Sequence, residues 1–489
     1  MAYSLYLLTA ALLLLLSIFS SKLSLKYGIP ALLIFLGIGM IFGSDALNVV
    51  YFDDYQLAQH LGIIALIYIL FSGGLDTNWQ TTKPIAIPGL ILATIGVLIT
   101  ALIVGYLASL ILDVSLLQGM LLGAVVSSTD AAAVFSVLRS KALGFKYQLK
   151  ELLEFESGTN DPMAIFLTIG IILYLTVPDM SWDSLIMLFV LQMSIGLITG
   201  LLSGKLMTWI INHANLGYDG LYPVLMLSFV PLIYAATDLL GGSGFLAVYI
   251  AGLVMGNSIF VHRRSLMNFF DGVGWLMQIT MFLTLGLLVF PSQLVTVAGS
   301  GLLLAVSLIV VGRPVSVFLS MIFTDFNTRS KLMVSWVGLR GAAPIILATF
   351  PYVAGIENAE LFFSIVFFVV VTSVLIQGPT LPFVARLLKV ASPIEEKTRY
   401  PIELEPTVDT KAALEEVEIE EDDFARGKKV HELGLPEDVL ITLINREGKF
   451  MVPRGTTEIA ANDKLLILSS KNQSDYIRLL LKAERAAKN

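Results

Sequence analysis

The sequence predicts an all-α polytopic membrane protein with about thirteen transmembrane helices, inverted repeats carrying two broken crossing helices, and a small cytoplasmic α/β domain at the C-terminal end. Three observations predict it. The chain is 56% hydrophobic and 14% charged, with a mean hydropathy of +0.82, whereas a soluble globular domain carries roughly 25% charged residues. Its basic residues fall in alternate loops. Two hydrophobic stretches, the fifth and the twelfth, each hold one charge followed by a run of small residues.

A span needs ~20 apolar residues, fewer inside a bundle. Spans are expected near residues 4–21, 29–44, 57–75, 85–112, 115–138, 152–176, 183–208, 219–238, 242–258, 268–290, 293–321, 332–351 and 359–388. The first, from Leu5 to Phe19, has no basic leader and no small-residue cleavage site, so it reads as a span and not as a signal peptide. Lys22, Lys26, Lys83, Arg139, Lys141, Lys146, Lys150, Lys205, His262, Arg263, Arg264, Arg329, Lys331, Arg386 and Lys389 all lie in or beside alternate loops. The opposite loops hold acids, among them Asp45, Asp53, Asp54, Asp113, Asp179, Asp183, Asp238, Glu357 and Glu360. Positive loops stay in the cytoplasm, which places the N-terminus outside and the C-terminus inside a cell inner (plasma) membrane. The chain has no cysteine, so disulfides, thiolate metal sites and thiol nucleophiles are excluded. His60, His213, His262 and His431 show no metal-ligand spacing and read as structural or surface residues.

The sixth span carries the most polar stretch in the membrane region, Phe155-Glu156-Ser157-Gly158-Thr159-Asn160-Asp161-Pro162-Met163-Ala164. A carboxylate at that depth costs ~3 kcal/mol or more and marks an ion or proton path by default. Glu156 and Asn160 share a helix face, and Asp161 lies about 100° round from Asn160. Pro162 has no N–H, so the carbonyl of Gly158 loses its helical partner beside the acid. One turn therefore offers a carboxylate, an amide, hydroxyls and a spare carbonyl, an oxygen set suited to a small hard cation or a proton. The bland reading is a polar contact between helices.

In the fifth span, Ser127-Ser128-Thr129-Asp130-Ala131-Ala132-Ala133 places hydroxyls and an acid mid-membrane. In the twelfth, Gly338-Leu339-Arg340-Gly341-Ala342-Ala343-Pro344 does the same with a base. The two spans run in opposite directions. A helix interrupted at the same depth in each is the pattern of an inverted repeat around a midplane site. Asp130 would offset the positive ends of half-helices. Arg340 needs a partner, with Glu156 the first candidate and Asp130 the second. Phe71-Ser72-Gly73-Gly74-Leu75-Asp76 reads as close helix packing ending on a vestibule charge or a simple helix end. Gly241-Gly242-Ser243-Gly244 is an outer turn. Arg313-Pro314 and Gln377-Gly378-Pro379 read as kinks or lining residues.

The domains divide as 1–390 for the membrane region, 391–412 for a linker rich in Pro, Glu and Thr, and 413–489 for a soluble module. Strands are expected at Leu414–Ile419, Val439–Arg446, Phe450–Pro453 and Lys464–Leu468, with a closing helix at 473–487. No G-x-G-x-x-G occurs, so no dinucleotide fold is implied. A module of about 75 residues has a marginal core, which pairing with a second copy would help.

Glu156-Ser157-Gly158-Thr159-Asn160-Asp161-Pro162, Ser128-Thr129-Asp130 and Gly338-Leu339-Arg340-Gly341 together resemble the monovalent cation:proton antiporters. Asn160-Asp161 is similar to the mark of their electroneutral, NhaP-like branch, where electrogenic relatives carry two acids. Glu432-Leu433-Gly434-Leu435-Pro436, Arg446-Glu447-Gly448 and Asn462-Asp463-Lys464-Leu465 resemble the TrkA C-terminal (RCK-C) regulatory domain. The resemblance implies a dimerisation domain and a six-helix core that moves across the membrane. It makes Asp161 the carboxylate that binds cation or proton. Thr129 and Ser157 complete the cation shell, Asp130 lies at the helix crossing, Asn160 fills the place of a second acid, and Glu156 and Arg340 form a buried ion pair. Several relatives carry a glutamate where this chain has Ser72-Gly73-Gly74.

The implied function is secondary-active potassium/proton antiport, electroneutral and one-for-one, serving pH and cation homeostasis. A sodium or lithium/proton antiporter of the same fold is the alternative, and a ligand-gated potassium channel a more distant one. A potassium channel needs a Thr-Val-Gly-Tyr-Gly filter, which this sequence lacks. An intramembrane aspartyl protease needs two facing catalytic acids, and the Gly-x-Gly-Asp context for them is missing. The protein is therefore expected not to be an enzyme and to need no cofactor; the transported ions are potassium (or sodium) and protons. Its expected partners are the lipid bilayer, a second copy in a homodimer, and a small-molecule or nucleotide ligand on the RCK-C module, with no nucleic acid.

Overall fold

The computed structural model describes residues 2–27, 30–393, 412–436, 439–446, 448–470 and 480–481. The chain forms two compact units. Among the described residues of the first, eight helices are long and apolar enough to cross a membrane, and five shorter apolar helices accompany them. These thirteen segments succeed one another where the hydropathy places them.

Ala2–Tyr27, Ala31–Phe42 and Tyr55–Asp76 form the first three. Asp54 starts the third by accepting the Leu57 N–H at 2.8 Å. Trp79–Leu112 is the fourth. The fifth is two half-helices, Leu116–Val125 and Ala131–Ser140. Ser115 and Gln118 make a capping box at its start, which satisfies two orphan donors at once. The sixth to tenth are Leu149–Thr176, Trp182–His213, Leu221–Leu239, Gly244–Gly256 and Arg263–Leu287. The eleventh is Ala298–Ser320. The twelfth is again interrupted, Thr328–Trp336 and then Ala342–Val353. Ala359–Leu387 is the thirteenth.

Lipid tails are as apolar as leucine, so helix association in a membrane rests on close packing. Glycines allow it here. A Cβ on Gly105 in the fourth span would lie 2.6 Å from Met120 Cα in the fifth. A Cβ on Gly74 in the third would lie 2.9 Å from Leu253 N in the ninth. The third, seventh, eighth and ninth spans make one bundle; the fourth, fifth, sixth, eleventh, twelfth and thirteenth make the bundle that holds the polar residues. The bundles meet where the third span packs on the twelfth and the ninth on the sixth. Tyr55 stacks on Tyr352 with centroids 3.8 Å apart. The Tyr249 ring lies against Gly158, whose missing side chain makes room for it.

The inverted repeat extends beyond the two breaks. The fourth span contains a π-helical turn at Leu92–Gly96 and the eleventh one at Leu308–Gly312. Such turns are rare and concentrate near functional sites. The Gly96 carbonyl, left under-used by the first, accepts from Thr100 Oγ1 at 2.8 Å and from Ser316 Oγ at 2.6 Å, which ties the fourth span to the eleventh.

Strand β1 (Leu143–Phe145) pairs antiparallel with β2 (Ala391–Pro393), Leu143 opposite Pro393. The stretch expected as a linker thus begins as a strand, and 394–411 lies outside the described residues. The second unit holds β3 (Ala412–Glu418), β4 (Leu440–Arg446), β5 (Lys449–Met451) and β6 (Lys464–Ser470). They form an antiparallel sheet in the order β3-β6-β4-β5 over a core that includes Val417, Ile444, Leu465 and Ile467. Gly448 takes φ of +82° between the paired Arg446 and Lys449, a conformation that costs other residues more. Arg446 grips the buried Asp463 bidentately at 2.8 and 2.7 Å. The expected closing helix at 473–487 lies outside the described residues except for Leu480 and Leu481.

The packing yields a paired prediction. Gly74→Val should lower the melting temperature of the detergent-purified protein, since overpacking costs about 1–3 kcal/mol. Gly73→Ala should leave it unchanged or slightly raised, because nothing lies within 4 Å of a Cβ there. A thermal-shift assay on both variants checks this.

Candidate cation and proton site at the crossing of two broken helices

The fifth span loses helical geometry at Val126 and regains it at Ala131. The twelfth loses it at Val337 and regains it at Ala342. Each break leaves a helix C-terminus with orphan carbonyls and a helix N-terminus with orphan N–H groups. In lipid no water satisfies them, so each break must be satisfied by the protein.

The two breaks satisfy each other. The Asp130 N–H donates to the Leu339 carbonyl at 2.8 Å. Arg340 Nη1 donates to the carbonyls of Ser127 at 2.7 Å and Ser128 at 2.5 Å, where the first half-helix of the fifth span ends. The Asp130 carboxylate caps the second half-helix, accepting from Ala132 N at 2.9 Å and Ala133 N at 3.2 Å. It also lies against Gly341, where an added Cβ would sit 2.8 Å from Asp130 Cγ. A charge of each sign therefore stands at the helix end of opposite polarity, the arrangement the helix dipole favours.

The sixth span runs past this crossing. Ser128 Oγ donates to Asp161 Oδ1. Asn160 Nδ2 donates to Thr129 Oγ1 at 2.6 Å, and its Oδ1 has no hydrogen-bond partner although the residue is fully buried. Ser157 Oγ donates to the Thr129 carbonyl at 3.0 Å and accepts from Ala131 N at 3.0 Å, so it bridges the break. Thr129, Ser157, Asn160, Asp161 and Asp130 are thus brought together on one crossing. Ser128, part of the same motif, is the hydroxyl that meets Asp161, a role that the motif alone did not assign.

The expected Glu156–Arg340 pair is corrected by the structure. Glu156 Oε1 lies 2.6 Å from Arg313 Nη2, both side chains buried to 2% exposure or less. Arg340 instead directs Nη1 to the two serine carbonyls. The reason lies in the eleventh span. A π-turn takes one residue more than an α-turn, so Leu308–Gly312 rotates the remainder of the span by roughly 100°. Arg313 is the next residue and is carried inward to Glu156. A signal existed in the sequence: Arg313, like Arg340, is an arginine in an apolar span and needs a partner.

Residues 8–387 match the transmembrane sodium/hydrogen exchanger family, and residues 414–482 match the TrkA-C domain. The chain belongs to the sodium/hydrogen exchanger family. It is 40% identical over 477 residues to a K(+)/H(+) antiporter NhaP2 of Shewanella baltica, covering 96% of this chain and 82% of that one. It is 38% identical over 475 residues to a K(+)/H(+) antiporter NhaP of Alkalimonas amylolytica, covering 96% and 81%. Among solved structures it resembles the sodium proton antiporter MjNhaP1 of Methanocaldococcus jannaschii at pH 8. The TM-score is 0.69 at 26% identity, covering 79% of this chain and 99% of that one. Within this exchanger fold the crossing of the fifth and twelfth spans is the only place, among the described residues, where membrane-embedded charges of both signs converge on broken helices.

The corrected pair carries a prediction. Arg313→Ala leaves Glu156 buried without its partner, which should cost about 3–5 kcal/mol. Adding Glu156→Gln should recover part of that. Thermal stability of wild type, single and double variants in one detergent measures both effects.

Proposed function

We propose that this exchanger carries out electroneutral, one-for-one potassium/proton antiport, with Asp161 holding either the cation or the proton. One observation carries the reading. Of the three acids at the crossing, two are committed: Asp130 to the helix cap and Glu156 to Arg313. Asp161 accepts one side-chain hydrogen bond, from the neutral hydroxyl of Ser128. A carboxylate in that setting cannot stand bare at low energy. It holds a proton or a cation, and one group cannot hold both.

The chemistry then needs no bond-making beyond proton transfer. In the ionised form, Asp161 supplies charge. Ser128 Oγ, Asn160 Oδ1, the Thr129 carbonyl and Ser157 Oγ are the neighbouring oxygens from which a potassium ion would take its shell. When the ion leaves, a proton replaces it on the carboxylate. Alternating access of the site-bearing bundle turns this competition into exchange. Asn160 is neutral, so the charge moved each way is one.

Potassium is favoured by the relatives named for potassium/proton antiport, which align with 96% of this chain. Sodium is the second reading. A Na(+)/H(+) antiporter of Methanocaldococcus jannaschii is 30% identical over 356 residues, aligning with 70% of this chain. The loop charges support an N-terminus outside and a cytoplasmic C-terminus in the inner membrane. The family matches support a membrane domain over 1–390, a connecting stretch over 391–412 and a regulatory domain over 413–489. That last domain would take a small-molecule or nucleotide ligand, and the protein would work as a homodimer.

Proteoliposomes with a preset pH gradient test the reading. Potassium chloride should relieve the quenching of a pH-sensitive dye, with no change when the voltage is clamped. Asp161→Asn should abolish the response, and retained exchange would remove Asp161 from the centre. Asn160→Asp should make the rate voltage-dependent; a variant still indifferent to voltage counts against the charge accounting.

A further inference from the structure

We propose that Gln377, in the thirteenth span, is a positioning residue that clamps the break of the twelfth span and thereby sets the place of the Asp161 carboxylate. The inference rests on the reading of Asp161 given above.

Trp336 is the last helical residue before the break, and the carbonyls there lose their usual helical partners. Gln377 Nε2 donates to the Trp336 carbonyl at 2.8 Å. A carbonyl can only accept, so the amide nitrogen must face it. Gln377 Oε1 then accepts from Ser373 Oγ, one turn back, at 2.5 Å. Both Gln377 and Ser373 are 1% exposed. A second bond runs from Trp336 Nε1 to Thr380 Oγ1 at 3.2 Å. The thirteenth span thus holds both the backbone and the ring of the residue at which the break begins.

The clamp lies a few covalent bonds from the site. Three residues after Trp336, the Leu339 carbonyl accepts the Asp130 N–H. The next residue, Arg340, holds the carbonyls of Ser127 and Ser128. Ser128 in turn touches Asp161. Slack at Trp336 would pass through Leu339 and Arg340 to the hydroxyl on the carboxylate. A misplacement of about 1 Å at a reacting group costs on the order of 100-fold in rate.

The two repeats use the same device. In the first, an amide from the span after the break, Asn160, holds Thr129 Oγ1 inside it at 2.6 Å. In the second, an amide from the span after the break, Gln377, holds Trp336. The amide adds no charge. A cation in its place would satisfy the same carbonyl and would add a further buried positive charge to those of Arg340 and Arg313, altering the balance around Asp161.

The test uses the full chain in proteoliposomes, with potassium as the cation, at one acidic and one alkaline pH. Gln377→Leu keeps the size and removes the donor. It should raise the apparent KM for potassium roughly tenfold relative to wild type at both pH values, the effect of one lost bond to a buried carbonyl. Gln377→Glu keeps the acceptor for Ser373 and donates to Trp336 only when protonated. It should stay near wild type at acidic pH and lose affinity at alkaline pH. Affinity unchanged in both variants, or a variant-to-wild-type ratio for Gln377→Glu that is equal at the two pH values, overturns the proposal. If Gln377→Leu does not fold, the pH split of Gln377→Glu decides alone. Asp161→Asn is measured in parallel: exchange that survives there sinks the reading of Asp161, while a dead Asp161→Asn beside unaltered Gln377 variants sinks only the clamp.

Discussion

The guanidinium of Arg340 resting on the carbonyls of Ser127 and Ser128 is the interaction on which the membrane unit depends. Interrupting a helix inside a bilayer strands backbone groups that cost several kcal/mol each when nothing meets them. This fold interrupts two helices and makes each repair the other. Arg340 from one break covers the carbonyls of the other, and the Leu339 carbonyl takes the Asp130 N–H in return. Gly341 is part of the same solution, since a side chain there would collide with the Asp130 carboxyl. The sixth span completes the repair, with Ser157 and Asn160 both bonded to Thr129 inside the first break.

Charge allocation follows from that repair. Once Arg340 and Asp130 are engaged at helix ends, Glu156 needs another cation, and the π-turn in the eleventh span delivers Arg313. Asp161 is left with a hydroxyl for company. Structural charges and the one proposed to exchange are thereby separated within one small volume. The separation leaves one acid of the sixth span, Asp161, outside the buried ion pair that holds the other, Glu156.

The bundle organisation connects this site to movement. The site-bearing bundle meets its neighbour at Tyr249 on Gly158, Tyr55 on Tyr352 and Gly62 on Ile346. Within each bundle, glycine-mediated packing brings backbones nearly into contact.

Much of this was legible in the sequence. The thirteen segments, the two breaks, the polar turn of the sixth span and the strands of the C-terminal module follow from local properties: apolar run length, small residues after a charge, alternation and turn residues. Asp161, Asn160, Thr129, Ser157 and Asp130, singled out from their motifs, are gathered at the crossing. Partner choice was not legible. Glu156 makes its close ion pair with Arg313, Ser128 and not its neighbours meets Asp161, and Gln377 reaches a carbonyl 41 residues away in the chain. Sequence spacing determines which side chains share a face of one helix. Which helix that face meets, and at what depth, depends on glycine crossings and on a π-turn that shifts the register, and only the packed tertiary structure decides those.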